Sequence, residues 1–166
     1  VANAFYFDAS SLGKRYVPEK GSAQVDAILD AVPHGRIYLL NIGVGEVLSI
    51  LVRKRNAGSI SAAYFGRIVA AFESEIVHAA DVSKQPVNKR LVFSSLPLIV
   101  AHSINSTDAV LLKSALVLAR RLRAAGDDLV LVASDQRLLR AAGSEGLSTF
   151  NPESQDRAAL AAFLGP

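Results

Sequence analysis

The chain contains no cysteine, no methionine and no tryptophan, and only three histidines in 166 residues. Without Cys there are no disulfides and no thiolate metal sites, which fits a reducing compartment. His34, His78 and His102 are scattered, and none lies in a recognisable Ser-containing elbow, which disfavours a Ser/His nucleophilic site. With no Met, Val1 is expected not to be the genetic start. No apolar run reaches the roughly 18 residues of a membrane span, and no secretory leader pattern opens the chain. The expectation is a cytoplasmic protein with no membrane partner. Internal repeats, low-complexity tracts and Pro/Gly/Ser-rich linkers are also missing, which implies a single domain over 1–166.

Charge is not one-sided either. There are 18 Lys and Arg against 15 Asp and Glu, a net charge of +3 and a pI near 9.4. That balance is compatible with a polyanionic partner without requiring one. The four Tyr and seven Phe sit mostly in apolar stretches, so no aromatic platform for RNA bases stands out. What the chain has in quantity is apolar surface. Hydrophobic residues make up 51%, enough for one substantial core.

Short apolar runs alternate with amphipathic stretches. Phe5 to Asp8 reads as a strand, followed by a short helix from Ser10 that Pro18 stops. Gly21 to Val32 reads as helix, "RIYLL" as strand and Gly43 to Arg55 as helix. "SISAAYFGRIVAAFESEIVHAA" is a long helix capped by Ser59 or Ser61. "VNKRLVFSSLPLIVAHSIN" leans to helix, with a possible break near Pro97. Thr107 to Ala125 is helix, "DLVLVAS" strand, Gln136 to Ala142 helix and "LSTF" strand, with a helical tail from Glu153. Unbroken apolar strands alternating with helices imply a parallel sheet covered on both faces, with ligands at the carboxyl ends of its strands.

Four carboxylates fall where that rule places ligands. Asp8 ends the first strand and reads alone as either a helix N-cap or a ligand. Asp135 repeats the arrangement after "LVLVAS", with Ser134 as a competing cap. Asp108 shares a helix face with Leu111, Leu112, Ala115, Ala119 and Leu122, and an ionised acid on that side needs a partner. Glu46 lies early in the helix after "RIYLL", away from the stripe of Val44, Val47, Leu48 and Leu51. It shares its side with Ser49 and Arg53. Acids gathered at one sheet edge repel one another, and a hard divalent cation on oxygen ligands, Mg²⁺ above all, relieves this. Such an ion activates water and neutralises charge on a phosphodiester under attack.

The stretches "YFDASSLGKRYVPEKGS", "GEVLSIL", "STDAVLLKSALVLA" and "ASDQRLLRAAGSEGLSTFNPE", in this order and spacing, resemble the PIN-domain family. The pattern is similar to that of VapC-type toxins of toxin–antitoxin modules and covers about residues 4 to 152. The resemblance implies a three-layer α/β/α sandwich with a central parallel sheet and a ribonuclease dependent on Mg²⁺ or Mn²⁺. It assigns Asp8, Asp108 and Asp135 to the metal, Glu46 to the ion or the attacking water, and Ser10 to a supporting role. It also implies a homodimer and a small antitoxin partner. The chain departs from the family in three ways. It is longer around residues 79 to 104, it carries Lys113 where relatives often have a small residue, and Asp135 occupies the family's most variable acidic position.

Lys14, Arg15, Arg137 and Arg140 stand near the acids and are candidates for RNA phosphates. The apolar helix around Phe65 to Ile76 is either core or an interface. Two other functions remain open from the residues. An Asp8-nucleophile phosphatase or a phospho-receiver would suit a strand-terminal Asp, but "FDASS" lacks the second Asp two residues on. A catalytically idle domain that binds RNA or protein would need none of the acids.

Overall fold

In the computed structural model, which describes residues 2–164, five parallel strands form one sheet in the order β3-β2-β1-β4-β5. They are β1 (Asn3–Phe7), β2 (Ile37–Leu40), β3 (Ser83–Gln85), β4 (Asp128–Val132) and β5 (Ser148–Phe150). Pairing is in register along β1 and β4, from Asn3 opposite Asp128 to Phe7 opposite Val132. Period-two alternation sends Phe5, Phe7, Val130 and Val132 to one face and Ala4, Tyr6, Leu129 and Leu131 to the other. All eight are at most 1% exposed, so both faces are covered and the strands read as continuous apolar runs.

Eight α-helices cover the two faces. The first is covered by α1 (Ala9–Gly13), α2 (Ser22–Ala31), α3 (Asn41–Asn56), α4 (Ala62–Phe72) and α8 (Arg157–Leu164). Their buried contributors include Leu12, Ile28, Leu51, Phe72 and Leu160. On the second face lie α5 (Lys89–His102), α6 (Ser106–Ala124) and α7 (Gln136–Ser144), contributing Leu98, Leu112, Ala115 and Leu138. The result is a three-layer α/β/α sandwich. Among the described residues no helix is long and apolar enough to cross a membrane.

Most element expectations are met within a few residues, but the helical tail expected from Glu153 begins only at Arg157 and the first helix ends at Gly13, well before Pro18. The strand at the start ends at Phe7, and α1 begins at Ala9 with Asp8 as its N-cap, not at Ser10. The helix expected from Ser59 or Ser61 is α4, capped by Ser61, and it passes into a π-helical turn over Glu73–Val77. In the region 79–104 the expectation of helix holds for α5, which runs through Pro97 unbroken. Ser83–Gln85, which lies outside both stretches read as helix, forms a polar edge strand beside β2. Three half-buried polar residues carry no periodic apolar signal, so nothing marked them as a strand.

The loop before α2 depends on a backbone shape reserved for glycine. Gly21 has φ +92°, and a Cβ there would stand 2.9 Å from the Pro152 carbonyl. Gly21→Ala is expected to destabilise the protein by about 2 kcal/mol or more, from the left-handed backbone together with the clash. A urea-unfolding midpoint unchanged by the substitution would contradict this account of the loop.

Candidate active site

Because the strands are parallel, their carboxyl ends share one edge, and each of the four acids reaches it from a different element. Asp8 follows β1 directly. Asp135 stands between β4 and α7, Glu46 in the second turn of α3, and Asp108 in the first turn of α6. α6 is held against the sheet by Leu111, Leu112 and Ala115, each at most 3% exposed. A hydrogen bond of 2.9 Å from the buried Tyr6 hydroxyl to Ser114 Oγ fixes its height over β1. The apolar face inferred for Asp108 is therefore real, and Asp108 is half-buried at its upper end.

Electrostatics bring the four acids into one site. The Asp108 carboxyl is pushed up to about 6, first by burial, then by Asp8 and Asp135, with Glu46 adding to the rise and Arg137 opposing it. The Glu46 carboxyl is also raised, by burial and then by Asp8. For Asp108 and Glu46, neighbouring carboxylates thus add to the cost of ionisation that burial sets.

Three of the acids also hold local structure, each through one oxygen. Asp8 Oδ2 accepts from the Ser10 amide at 3.1 Å and from the Ser10 hydroxyl. Asp108 Oδ2 accepts from Asn105 Nδ2 at 2.7 Å, while Asn105 Oδ1 caps α6. Asp135 Oδ1 accepts from the amides of Arg137 and Leu138 at 2.7 and 3.0 Å. Asp135 is therefore the N-cap of α7, and the expectation that Ser134 could take that task is corrected. Ser10 keeps its supporting place, orienting Asp8.

Glu46 corrects the helical-wheel reading in a second way. Leu48, assigned to the buried stripe, is 40% exposed, and Glu46 is the half-buried residue. It faces an open cleft of about 320 Å³ that Asp8, Ser10, Ser49 and Arg53 also line. Arg53 went unnoticed as a functional candidate. Its spacing of seven residues from Glu46 was the available signal, since that returns it to the same helix face two turns on.

Two of the expected phosphate contacts are committed elsewhere. Lys14 is only 5% exposed and pairs with Glu19 at 3.0 Å and Glu153 at 2.6 Å. Burial works against its charge, but the two glutamates outweigh that and hold its pKa above the usual range. Arg15 is tied to Asp26, Asp30 and Glu75 at 2.8–3.1 Å. Both pin elements together instead of presenting charge to a ligand. Arg137 and Arg140 remain, exposed and without an ion pair among the described residues.

The donor set suits a hard cation: oxygen only, crowded, and short of positive charge. Among the described residues, no three His, Cys, Asp or Glu side chains are drawn close enough to hold one together. The aspartates instead lean on their own helix starts, each with its second oxygen uncommitted. A further cleft, about 370 Å³, opens between α5 and α6, with Arg90, Ser94, Ser114 and Arg121 in its walls and no carboxylate. It offers no comparable chemistry. Compared with protein-family models and with curated proteins, the chain matches none.

Asp108 makes the crowding measurable. In the folded protein it holds its proton up to about pH 6, whereas an unfolded Asp releases it near 4. Between those values the native state binds more protons, so this group lowers stability as pH rises through the window, and the full cost is present above it. Asp108→Asn keeps an oxygen for Asn105 and removes the charge. The metal-free variant is expected to melt roughly 2–4 °C above wild type at pH 7.5, the effect of ~1 kcal/mol in a chain of this size. The gap should close near pH 4. A variant that melts lower at pH 7.5 would show that the Asp108 charge is not under strain.

Proposed function

We propose that the protein is a ribonuclease dependent on Mg²⁺ or Mn²⁺, using the acidic edge formed by Asp8, Glu46, Asp108 and Asp135. The observation that carries this reading is the coupling of Asp108 to the other three acids. Four acids from four elements meet at a parallel-sheet edge, and the carboxyls of Asp108 and Glu46 are raised by burial and by their acidic neighbours. The family resemblance of the four sequence stretches supports the same assignment.

Asp8, Asp108 and Asp135 would hold the ion through their uncommitted oxygens, with Glu46 beside them. When bound, such an ion makes water a better nucleophile at neutral pH and offsets charge on the phosphodiester. The chain's own residues do the rest. Ser10 orients Asp8, and the amides of Arg137 and Leu138 orient Asp135. Glu46, with its raised pKa, is placed beside Asp8 to take a proton from an attacking water at one of its Oε atoms. Its elevated basicity suits that transfer.

The resemblance extends the reading to the toxin of a toxin–antitoxin pair, with a small antitoxin as partner and a homodimer as the working form. The helix and turn around Phe65 to Ile76 bury one face in the core and leave Phe65 and Val69 half-buried. Ile68, Phe72 and Ile76 of the helix and turn over 62–77 are core residues at 6% exposure or less. Among the described residues the largest group of exposed apolar side chains on one helix is on α5, where Val92, Phe93, Leu96 and Val100 are 37%, 58%, 47% and 85% exposed. A twofold axis would set this stripe against its own copy, apolar on apolar.

Two experiments bear on these proposals. Wild type is expected to cut mixed-sequence single-stranded RNA with Mg²⁺ or Mn²⁺ and to stop in EDTA. Asp8→Asn should lose about 10²-fold or more, the scale of removing one electrostatic stabiliser of a transition state. Equal cutting by an identically purified Asp8→Asn protein would assign the activity to a contaminant. For the dimer, light scattering at micromolar concentration should give twice the chain mass for wild type and the chain mass for Phe93→Glu. A monomeric wild type would remove the α5 interface.

A further inference from the structure

We propose that Arg53 on one side of the acidic edge, and Arg137 with Arg140 on the other, hold successive phosphates of a single-stranded RNA. The strand then crosses the ends of the sheet from one helical layer to the other. This rests on the ribonuclease reading and adds the path of its substrate.

Two clefts flank the carboxylates. The first, about 320 Å³, runs along α3 from Asp8 and Glu46 to Arg53. Seven residues of helix place Arg53 about 10 Å along the axis from Glu46. The second, about 360 Å³, is lined by Arg137 and Arg140 of α7 and by His102, Ser103 and Ser144. α3 buries Val47 and Leu51 in the layer of Phe5 and Phe7, and α7 buries Leu138 and Ala141 in the layer of Ala4 and Tyr6. The clefts therefore belong to opposite faces of the sheet, with the acids between them.

The distribution of cations gives the clefts their meaning. Lys14, Arg15, Arg36, Lys54 and Arg123 each pair with an acid. Other cations, Arg90, Arg120 and Arg121 among them, also lack an ion pair among the described residues, but Arg53, Arg137 and Arg140 are the exposed, unpaired ones that line these two clefts. In the second cleft, His102 is taken up by Glu145 at 2.7 Å, so its available positive charge is that of the arginines. Arg137 is also near enough to Asp108 to oppose the rise of its pKa. An edge made only of acids would repel a polyanion. Guanidinium groups on both sides offset that repulsion and bind phosphate through paired N–H donors. A path over an edge suits a flexible single strand, and contacts to phosphate carry no base preference.

The test is binding without cleavage. Fluorescence anisotropy of a short labelled mixed-sequence RNA is measured in EDTA, from about 50 to 200 mM salt, the range over which phosphate contacts show. Arg53→Gln, and separately Arg137→Gln with Arg140→Gln, are expected to bind roughly 5- to 10-fold more weakly. Each lost contact should reduce the slope of log K against log salt by about 0.7. Arg90→Gln with Arg121→Gln, in the cleft between α5 and α6, should change neither quantity. Melting curves unchanged from wild type verify that all variants are folded. Wild-type affinity and slope in the Arg53 and Arg137/Arg140 variants, or an equal loss in the Arg90/Arg121 control, overturn the path. Metal-dependent cleavage is read separately. RNA binding that needs these arginines, with no cleavage in Mg²⁺ or Mn²⁺, overturns the nuclease and leaves the path standing.

Discussion

The acidic site depends on the apolar packing that holds carboxylates from four elements at one end of a parallel sheet. A sheet with Phe5, Tyr6, Leu131 and Val132 at 1% exposure or less has no room for polar function on its faces. Only the strand ends are open to polar chemistry. β1 delivers Asp8 there, β4 delivers Asp135, and the helices after β2 and α5 deliver Glu46 and Asp108. Packing by Leu111 and Leu112 and the Tyr6–Ser114 bond keep Asp108 from withdrawing to water. The fold thus sustains an arrangement that its own electrostatics oppose, and the Asp108 carboxyl is pushed up to about 6 by burial first and by its acidic neighbours second.

The cations divide into two populations, and net charge reveals neither. Lys14 joins α1 to Glu19 and Glu153, far apart in sequence, and Arg15 joins the same region to α2 and the π-helical turn through Glu75. These pairs are partly buried, so removing one partner would leave a charge without compensation. They are structural pins. Among the described cations in no ion pair, Arg53, Arg137 and Arg140 are exposed and line the clefts near the acidic edge. A value of +3 is the sum of pinned and exposed charge, and only the exposed part can meet a polyanion.

Much of the architecture was legible because the signals were strong and local. The alternation of apolar strands with amphipathic helices required a parallel sheet buried on both sides, and Asp8 and Asp135 lay where such a sheet presents its ligands. Asp108 was legible from its helical companions. Other features could not be read along the chain. β3 is three polar residues defined only by their partner Tyr38–Leu40. Lys14 and Arg15 looked like surface bases because their partners lie up to 139 residues away. The apolar residues of α4 and α5 looked alike in sequence, yet tertiary packing buried Phe72 and left Val100 out.

Capping and ligation first stand as rival readings of a strand-terminal aspartate, but geometry removes the rivalry. A carboxylate has two oxygens. Asp135 spends Oδ1 on two amides of α7, Asp8 spends Oδ2 on Ser10, and Asp108 spends Oδ2 on Asn105. Each retains one oxygen, and the bond on the other fixes the direction of the side chain before any ligand arrives. Helix starts favour negative charge, so acidic side chains suit these positions at the starts of α1, α6 and α7. A sequence signal that reads as an ordinary cap is therefore what a preorganised acidic site would show. Their place around Asp108, whose carboxyl they raise, distinguishes Asp8 and Asp135 from other N-caps.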